Sequence, residues 1–582
     1  MKKTLFSALV IVALLAWSAG AAHARSSYMK TFNQKYGTTK TVLDSCKVCH
    51  LRSDGGDRNS FGKDFNRAER RFNSWLEARD SDRDGFSNLQ EIKARTFPGN
   101  YRSRPTSTTP PPPTSGDHSG MIWTGSSTCL VCHSNEANQV HASVHYQWKG
   151  SAEELINGQP VQGKTAGAMN SYCVNILGNW NSCSACHVGL GAVPEETAMM
   201  AQLNNIDCLI CHQKEYKRVK VNGAFVPDTA NMAIGMDQAA QTVHKPTRAT
   251  CLQCHAKGGG GDNNKRGDMP LALGNTSDRN LDVHMSTTGQ NITCQQCHTT
   301  QEHRIAGRGN DLRPTDLNAP MGCSTASCHQ SFSHADSTLN RHTAKIACQT
   351  CHISTFARDA ADTLATEATE MHRDWQFSHL AADGKMHPLY TMVNNVKPVY
   401  RFWNGQSSGY TVGDLATVDP ETGVYLMSRP EGGINDPGSK LYPFKYKTSN
   451  APMASRLDKL IALDTSVYFP TGDVNAAVRS GLQKMGLDPN EPYTFVTTGE
   501  FQLITHEVPP KTQALSCASC HGTTAQMDLK AIGYGLKAPE SQLCVSCHSR
   551  KENKSFTEIH RKHVTDRRFD CSRCHNFTRA AQ

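Results

Sequence analysis

Past its first two dozen residues the sequence has no long apolar run, so nothing there qualifies as a membrane-spanning helix, which needs about 18 or more apolar residues in succession. Apolar side chains of any kind are scarce: hydrophobic residues make up 37% of the chain and aromatics 7%. Counted with Gly and without Tyr, the apolar fraction is about 42%, below the usual 45–50%. A chain of 582 residues should form several domains, and this one is short of the side chains that would fill their cores. Something else is expected to occupy the interior.

The amino terminus reads MKKTLFSALVIVALLAWSAGAAHARSS: two lysines, an apolar run, then small residues ending Ala22-His23-Ala24. This is the pattern of a secretory signal peptide (residues 1–24) cleaved before Arg25, and it predicts an exported, periplasmic or extracellular protein. Membrane contact is expected only if that segment is retained as an anchor.

Cysteine is abundant, with 23 residues, and its spacing decides its use. CxxCH occurs as CKVCH (Cys46, Cys49, His50), CLVCH (Cys129, Cys132, His133), CSACH (Cys183, Cys186, His187), CLICH (Cys208, Cys211, His212) and CLQCH (Cys251, Cys254, His255). It recurs as CQQCH (Cys294, Cys297, His298), CQTCH (Cys348, Cys351, His352), CASCH (Cys517, Cys520, His521), CVSCH (Cys544, Cys547, His548) and CSRCH (Cys571, Cys574, His575). CSTASCH (Cys323, Cys328, His329) is the same signature with a longer spacer. Two thiols at this spacing add to the two vinyl groups of a haem, and the adjacent His reaches the iron from the same turn. One motif would fit zinc or a redox dithiol equally well, but eleven, each followed by His and behind an export signal, predict eleven covalently attached c-type haems. The fold expected is mainly α with much irregular structure, a multihaem cytochrome c in which stacked haems form the core. The formal charge of +9 would be reversed by the haem propionates, so it gives no argument for a nucleic acid partner.

A low-potential haem takes a second axial imidazole. Fifteen of the 26 histidines lie outside the motifs, and the best placed are His145, His284, His303, His334, His342, His506, His560 and His563. His141 and His244 are weaker candidates. The first motif has no strong distal histidine: His23 leaves with the signal and His118 lies past a linker. Met29 is open to that role or to a place in the core.

The stretch RPTSTTPPPPTSG (104–116) reads as a semi-rigid linker that sets off a one-haem module, residues 25–103. Within that module DSDRDGFSNLQE places Asp80, Asp82, Asp84, the Phe86 carbonyl, Asn88 and Glu91 at the ligand positions of an EF-hand-like loop, which predicts one structural Ca²⁺. After the linker comes a core over 117–538. It includes a haem-free stretch, 353–516, for which the pattern predicts helices over 358–375, 454–463 and 474–485. This stretch either covers the haems or shapes a substrate cavity. A two-haem extension, 539–582, ends the chain.

From Thr128 to about Ala538 the sequence resembles the octahaem tetrathionate reductase family. The resemblance rests on YCVNILGNWNSCSACHVGLG, NIDCLICH, CHAKGGGGDNNKRGDM, DVHM before NITCQQCHTTQEHRIAG, LNRHTAKIACQTCHISTFAR, NVKPVYRFWNG, KLYPFKYK and ALSCASCHGTTAQMDLKAIGYG. It implies an oxidoreductase in which one haem, attached at Cys183 and Cys186, takes Lys265 as axial ligand and leaves its other face open to tetrathionate, nitrite or hydroxylamine. His187 would then be displaced or opposed. The resemblance also implies that Cys173, the one cysteine outside the motifs, lies beside that haem, either as an inert buried thiol or as one that exchanges with a sulfur–sulfur bond of the substrate. Redox partner proteins, quinol-linked or periplasmic cytochromes, would supply electrons. The motifs at 46, 544 and 571 fall outside the octahaem pattern, and they keep open a rival reading: an electron conduit, polymeric or not, with no substrate of its own.

Overall fold

The computed structural model describes residues 26–105 and 118–576, apart from 173, 259–260, 310–311, 314–315, 320, 325–327, 330–332, 522–525, 551–553 and 571–572. Cys173 and Cys571 therefore lie outside the described residues. The chain forms two compact units: Met1–His141 with Ala192–Leu209 and Glu215–Val243, and Ala142–Gly191 with Ile210–Lys214 and His244–Gln582. Among the described residues no helix is long and apolar enough to cross a membrane.

In the first unit, residues 26–105 build a core of their own. Phe32, Leu43, Val48, Phe61, Phe65, Leu76 and Ile92 are buried together, with Met29 packed against them. Four helices surround this core: Ser26–Tyr36, Ser60–Arg67, Ser74–Ala78 and Asn88–Ala94. Asn59, Asn73 and Ser87 cap the last three by accepting from backbone N–H groups of the first turn. Asn59 also donates to the Lys47 carbonyl at 2.8 Å, tying that helix to the first CxxCH turn. The approach is close enough that a Cβ at Gly62 would overlap the Cys49 carbonyl oxygen.

In the second unit the haem-free stretch departs from the expectation of a mainly α fold, for it forms an eight-stranded mixed sheet. Its strands are β1 (Thr369–Leu380), β2 (Met386–Val393), β3 (Val399–Trp403), β4 (Ser407–Gly409), β5 (Tyr425–Pro430), β6 (Lys440–Ala454), β7 (Lys459–Leu460) and β8 (Tyr493–Leu503). The order is β2-β1-β6-β8-β5-β4, with β3 and β7 also pairing β6. The β1–β6 and β5–β8 pairs are parallel and the others antiparallel. Helices α1 (Thr465–Thr471) and α2 (Val474–Lys484) pack on it through a core that includes Trp375, Met453, Leu460, Tyr468, Val478 and Leu482.

Of the three helices expected here, only the one near 474–485 forms. The Ala-rich segment from 358 runs without a helix into β1, and 454–463 turns from β6 into β7. Alanine's helix preference is worth only tenths of a kcal/mol per residue over most others, and these segments answer instead to the buried central strand β6, which pairs residue by residue with β8 from Phe444↔Leu503 to Ala454↔Tyr493.

Candidate haem and substrate site

The CxxCH turns are short: helices Trp180–Cys183, Leu209–His212, Cys294–Cys297, Cys348–His352 and Cys517–His521 each carry part of a motif. Among the described residues no cysteine is in a disulfide. Nine of the motif histidines face a second imidazole. The pairs and ring-centroid separations are His133–His118 at 6.0 Å, His212–His303 at 6.4 Å, His255–His145 at 6.1 Å, His298–His506 at 6.1 Å and His329–His284 at 6.3 Å. The rest are His352–His334 at 6.3 Å, His521–His342 at 6.2 Å, His548–His563 at 5.8 Å and His575–His560 at 6.2 Å. Two imidazoles bound to one metal at about 2 Å per bond have centroids roughly 6 Å apart, so these separations are compatible with an iron between the rings. His560 also lies 6.4 Å from His521.

All eight favoured spare histidines stand in these pairs. His118, set aside as lying past a linker, stands with them. His244 does not: its Nε2 accepts from the Lys214 N–H at 3.0 Å and its Nδ1 meets the Lys245 carbonyl at 2.8 Å.

Hydrogen bonds orient several of the paired rings through Nδ1, leaving Nε2 for a metal. His212 Nδ1 contacts the His244 carbonyl at 3.0 Å, His298 Nδ1 the Ala306 carbonyl at 2.8 Å, and His563 Nδ1 the Ile559 carbonyl at 2.8 Å. His50 follows the same rule toward Gly56 at 2.7 Å, although no second imidazole is paired with it among the described residues.

His187 breaks the rule. It is fully buried, and its Nε2 is the atom held by a carbonyl, that of Tyr146, at 2.6 Å. Tyr146, Trp148 and Trp180 box its ring with centroids 5.0, 5.1 and 5.5 Å away. An imidazole whose Nε2 donates to a carbonyl has no lone pair there for iron.

Around this turn the sheet presents buried charge, which the sequence reading did not foresee. Glu370 of β1 pairs with Lys447 of β6 at 2.5 Å and with Arg373 of its own strand at 2.5 Å, all three buried. Burial alone would raise the Glu370 pKa, but the two cations hold it below its ordinary value. Three buried groups then grip the backbone just before Cys173. Arg373 donates to the Tyr172 carbonyl, Trp375 Nε1 to the Ser171 carbonyl at 3.0 Å, and the Ser171 N–H donates to Glu500 at 3.1 Å. Lys447 also lies over the Tyr172 ring, 4.8 Å from its centroid. Just beyond Cys173, Val174 has φ 51°, a left-handed conformation that is costly for a β-branched residue. Its carbonyl accepts from the Asn170 N–H at 3.1 Å, which closes the loop.

One pleat away on β6, buried Lys445 donates to the Asn264 and Lys265 carbonyls at 3.2 and 3.4 Å and to Thr369 Oγ1 at 2.7 Å. Burial, with Lys447 nearby, pushes its pKa well below the ordinary lysine value. Lys265 adds its charge to the field at His145 and His255, two imidazoles whose pKa burial already depresses. Arg266 is committed elsewhere: it forms a two-pronged pair with buried Asp268 at 2.9 Å and donates to the Leu503 carbonyl. Two separated segments, 171–172 and 264–265, are thus pinned to one sheet by its charged residues.

In the first unit, Asp80, Asp82 and Asp84 bring carboxylate oxygens within 4.8 Å of one another. Asp80 accepts from the Arg83, Asp84 and Gly85 N–H groups at 2.6, 3.2 and 2.9 Å, and Asp84 accepts from Phe86 at 3.0 Å. Both oxygens of Asp82, both of Glu91 and one of Asp84 are buried with no hydrogen-bond partner. Burial first, and then the neighbouring carboxylates, push Asp82 up to about 7 and Glu91 up to about 10. These oxygens could hold a divalent cation that prefers oxygen ligands. Asn88, expected at the ninth loop position, is a correction: its side chain donates to the Leu76 carbonyl at 2.6 Å and to Ser81 Oγ at 2.9 Å, and so braces the loop from behind.

Comparison with known proteins follows this geometry. Residues 369–524 match the family model described as cytochrome c bacterial, and residues 24–105 match that described as temptin C-terminal. An uncharacterized protein of Archaeoglobus fulgidus is 27% identical over 241 residues, 32% of this chain and 77% of its own. The multihaem cytochrome MtrA of Shewanella baltica is 30% identical over 150 residues, 25% of this chain and 36% of its own, so the chain spans about a third of that relative. The solved structure of octahaem cytochrome c from Shewanella oneidensis superposes with a TM-score of 0.59 at 30% identity, covering 72% of this chain and 95% of that one. The paired histidines and these likenesses agree: this is an electron-transfer protein with covalently bound c-type haems, and it belongs to the octahaem cytochrome c family of multihaem cytochromes.

Proposed function

We propose that the protein is an exported undecahaem reductase acting on tetrathionate, nitrite or hydroxylamine at one lysine-ligated haem, the one attached at Cys183 and Cys186. The observation that carries this reading is the buried charge on the sheet. Lys445 fixes the backbone at Lys265, and Glu500 and Arg373, the latter held by Glu370, fix it at Ser171 and Tyr172 just before Cys173; the family resemblance places Lys265 and Cys173 beside the open haem. A conduit needs only paired axial ligands and gains nothing from such a clamp. The hydrogen bond from His187 to the Tyr146 carbonyl supports the same reading, since it withholds that imidazole and leaves the iron to Lys265.

When bound, the haems supply one-electron carriers and, at the open one, an iron that accepts substrate. The chain's own residues do the rest. His118, His145, His284, His303, His334, His342, His506, His560 and His563, with their motif partners, would hold the haem irons. Lys447 and Arg373, paired with Glu370, hold the Tyr172 ring and backbone in place. For tetrathionate, the Cys173 thiolate would displace one thiosulfate as the central sulfur–sulfur bond breaks, and two electrons would then cleave the new bond to Cys173, releasing the second thiosulfate and restoring the thiolate. Electrons come from redox partner proteins such as quinol-linked or periplasmic cytochromes.

Two experiments test this reading. Cyanide or nitrite added to the reduced protein should perturb the haem attached at Cys183 and Cys186, and a spectrum that does not move, or that moves only at the Cys46 haem, would favour the conduit. Cys173→Ser should lower tetrathionate reduction by about 10-fold or more while sparing nitrite reduction. An equal effect on both would make the thiol structural.

We further propose that Asp80, Asp82, Asp84, the Phe86 carbonyl and Glu91 hold one Ca²⁺ that staples the amino-terminal module. A ligand bound only by the folded state and present at 100 times its dissociation constant adds about 2.7 kcal/mol. For a module of this size that is a shift of roughly 10 °C or more. Chelation should therefore lower the first calorimetric transition of the full chain by about that much, and Glu91→Gln should make that transition insensitive to calcium.

A further inference from the structure

Formal charge is spread unevenly along the chain. Residues 26–105 contain 16 Lys and Arg against 10 Asp and Glu, whereas residues 106–582 balance at 42 of each. Burial sharpens the contrast. Of the 16 basic residues in this module only Arg79 is buried, paired with Asp64 at 2.8 Å, and the other 15 are exposed. Of the 10 acidic residues only Asp44, Asp54, Asp57 and Glu69 are exposed. Asp64 and Glu91 are buried, while Glu77, Asp80, Asp82 and Asp84 are partly so, four of these six being the carboxylates of the loop described above. The module has turned its acids inward and its bases outward.

Haem attachment deepens the asymmetry. One haem brings two propionates to this module and leaves its surface positive. The remainder of the chain starts from zero and becomes acidic with ten. The basic residues also gather at the attachment turn. Exposed Lys47 lies inside CKVCH, Arg52 and Arg58 lie on the hairpin formed by His50–Arg52 and Gly55–Arg58, and Lys63 lies on the following helix. Among them Leu51, the residue after the motif histidine, is 65% exposed. Asp54 and Asp57 are exposed on the same hairpin, Asp54 paired with Arg52 at 3.3 Å, so the face carries these four bases against two acids. An apolar point on a face of net positive charge at a cofactor's edge steers a partner of the opposite sign and keeps the contact short-lived.

We propose that the face around Lys47, Leu51, Arg52, Arg58 and Lys63 is the docking surface for an acidic one-electron redox protein. This inference rests on a haem being attached at Cys46 and Cys49, and is independent of which haem reduces substrate. In the encounter the partner's centre loses one electron, and the iron held by His50 gains it, passing from ferric to ferrous. No proton or bond is exchanged.

The test uses the full haem-loaded protein and two probes of opposite charge: a reduced plant-type ferredoxin, which is strongly acidic, and a basic reduced mitochondrial-type cytochrome c. Stopped-flow second-order rate constants are measured between 10 and 200 mM salt. With ferredoxin the rate should fall at least 10-fold over that range, and with the basic protein it should rise or stay flat. The variant Lys47→Glu/Arg52→Glu/Arg58→Glu/Lys63→Glu should lose at least 10-fold of the low-salt ferredoxin rate and of its calorimetric binding. Its haem content and its reduction by dithionite should be unchanged. A ferredoxin rate insensitive to salt, or unaltered in the variant, overturns the proposal. So does a variant that loses only its co-sedimentation with vesicles of 30% anionic lipid, which would make the face a membrane contact. A failure here with substrate reduction intact would leave the reductase reading standing.

Discussion

Replacing Lys265 by Ala is expected to cut substrate reduction by on the order of 100-fold, the scale on which loss of a group that binds or orients a metal ligand acts. The effect should be confined to one haem. The Lys265 charge also reaches the His145–His255 pair, so beyond a change at that pair, reduction of the whole protein by dithionite and its reoxidation by an artificial acceptor should proceed at the normal rate. Arg266 should not take over, because its guanidinium is bound to buried Asp268 through two 2.9 Å contacts and to the Leu503 carbonyl. His187 is the natural substitute, but it would have to surrender its 2.6 Å hydrogen bond to Tyr146 and turn inside a box of three aromatic rings. A small primary amine supplied in the buffer should instead restore part of the activity to Lys265→Ala. Unchanged activity and an unchanged spectrum in this variant would return the protein to the conduit reading.

The sequence carried the haem sites openly because the chemistry leaves no latitude in spacing: two thiols and an imidazole must come from one turn. The spare histidines that the sequence offered as distal ligands stand near motif histidines, and His506 also meets Asp268 at 3.2 Å through Nδ1. His118 escaped because its candidacy was judged by distance along the chain from the first motif, whereas its partner is His133 of the second, 6.0 Å away between ring centroids. Asn88 shows the opposite error. Loop spacing placed it among the metal ligands, but an amide can also brace a turn, and here it spans the loop to Leu76.

The sheet was hidden by composition. In KLYPFKYK the alternation reads as Phe444 and Tyr446 inward with Lys445 and Lys447 in water, which is how a half-buried strand is expected to behave. In the fold both faces of β6 are covered, Phe444, Lys445 and Lys447 are all buried, and the lysines meet a face lined by backbone carbonyls and by Glu370. No local pattern announces that a strand's polar face will be roofed by loops from 200 residues away. Tertiary burial decided the matter, and it also turned the Ala-rich segments into strand and turn.

That buried network predicts the largest stability effect in the chain. Glu370→Gln removes the one carboxylate shared by Lys447 and Arg373, both of which lie within 2.5 Å of it. Breaking a buried pair from one side costs about 3–5 kcal/mol, because the remaining charges stay desolvated without compensation. The urea midpoint of the second unit should fall accordingly. Adding Lys447→Met should recover at least half of the loss, since it removes the cation left without its partner, and a double variant less stable than either single would show that hydrogen bonding, rather than charge balance, holds the site. The pH dependence follows from the same geometry. The two cations hold the Glu370 carboxyl below its ordinary 4.5, so its contribution is complete above that value and is lost as pH falls through the lower folded-state value. Glu370→Gln should flatten this acid limb. It should also slow tetrathionate reduction more than the loss of folded protein explains, because the guanidinium that grips the Tyr172 carbonyl is the one Glu370 holds in place.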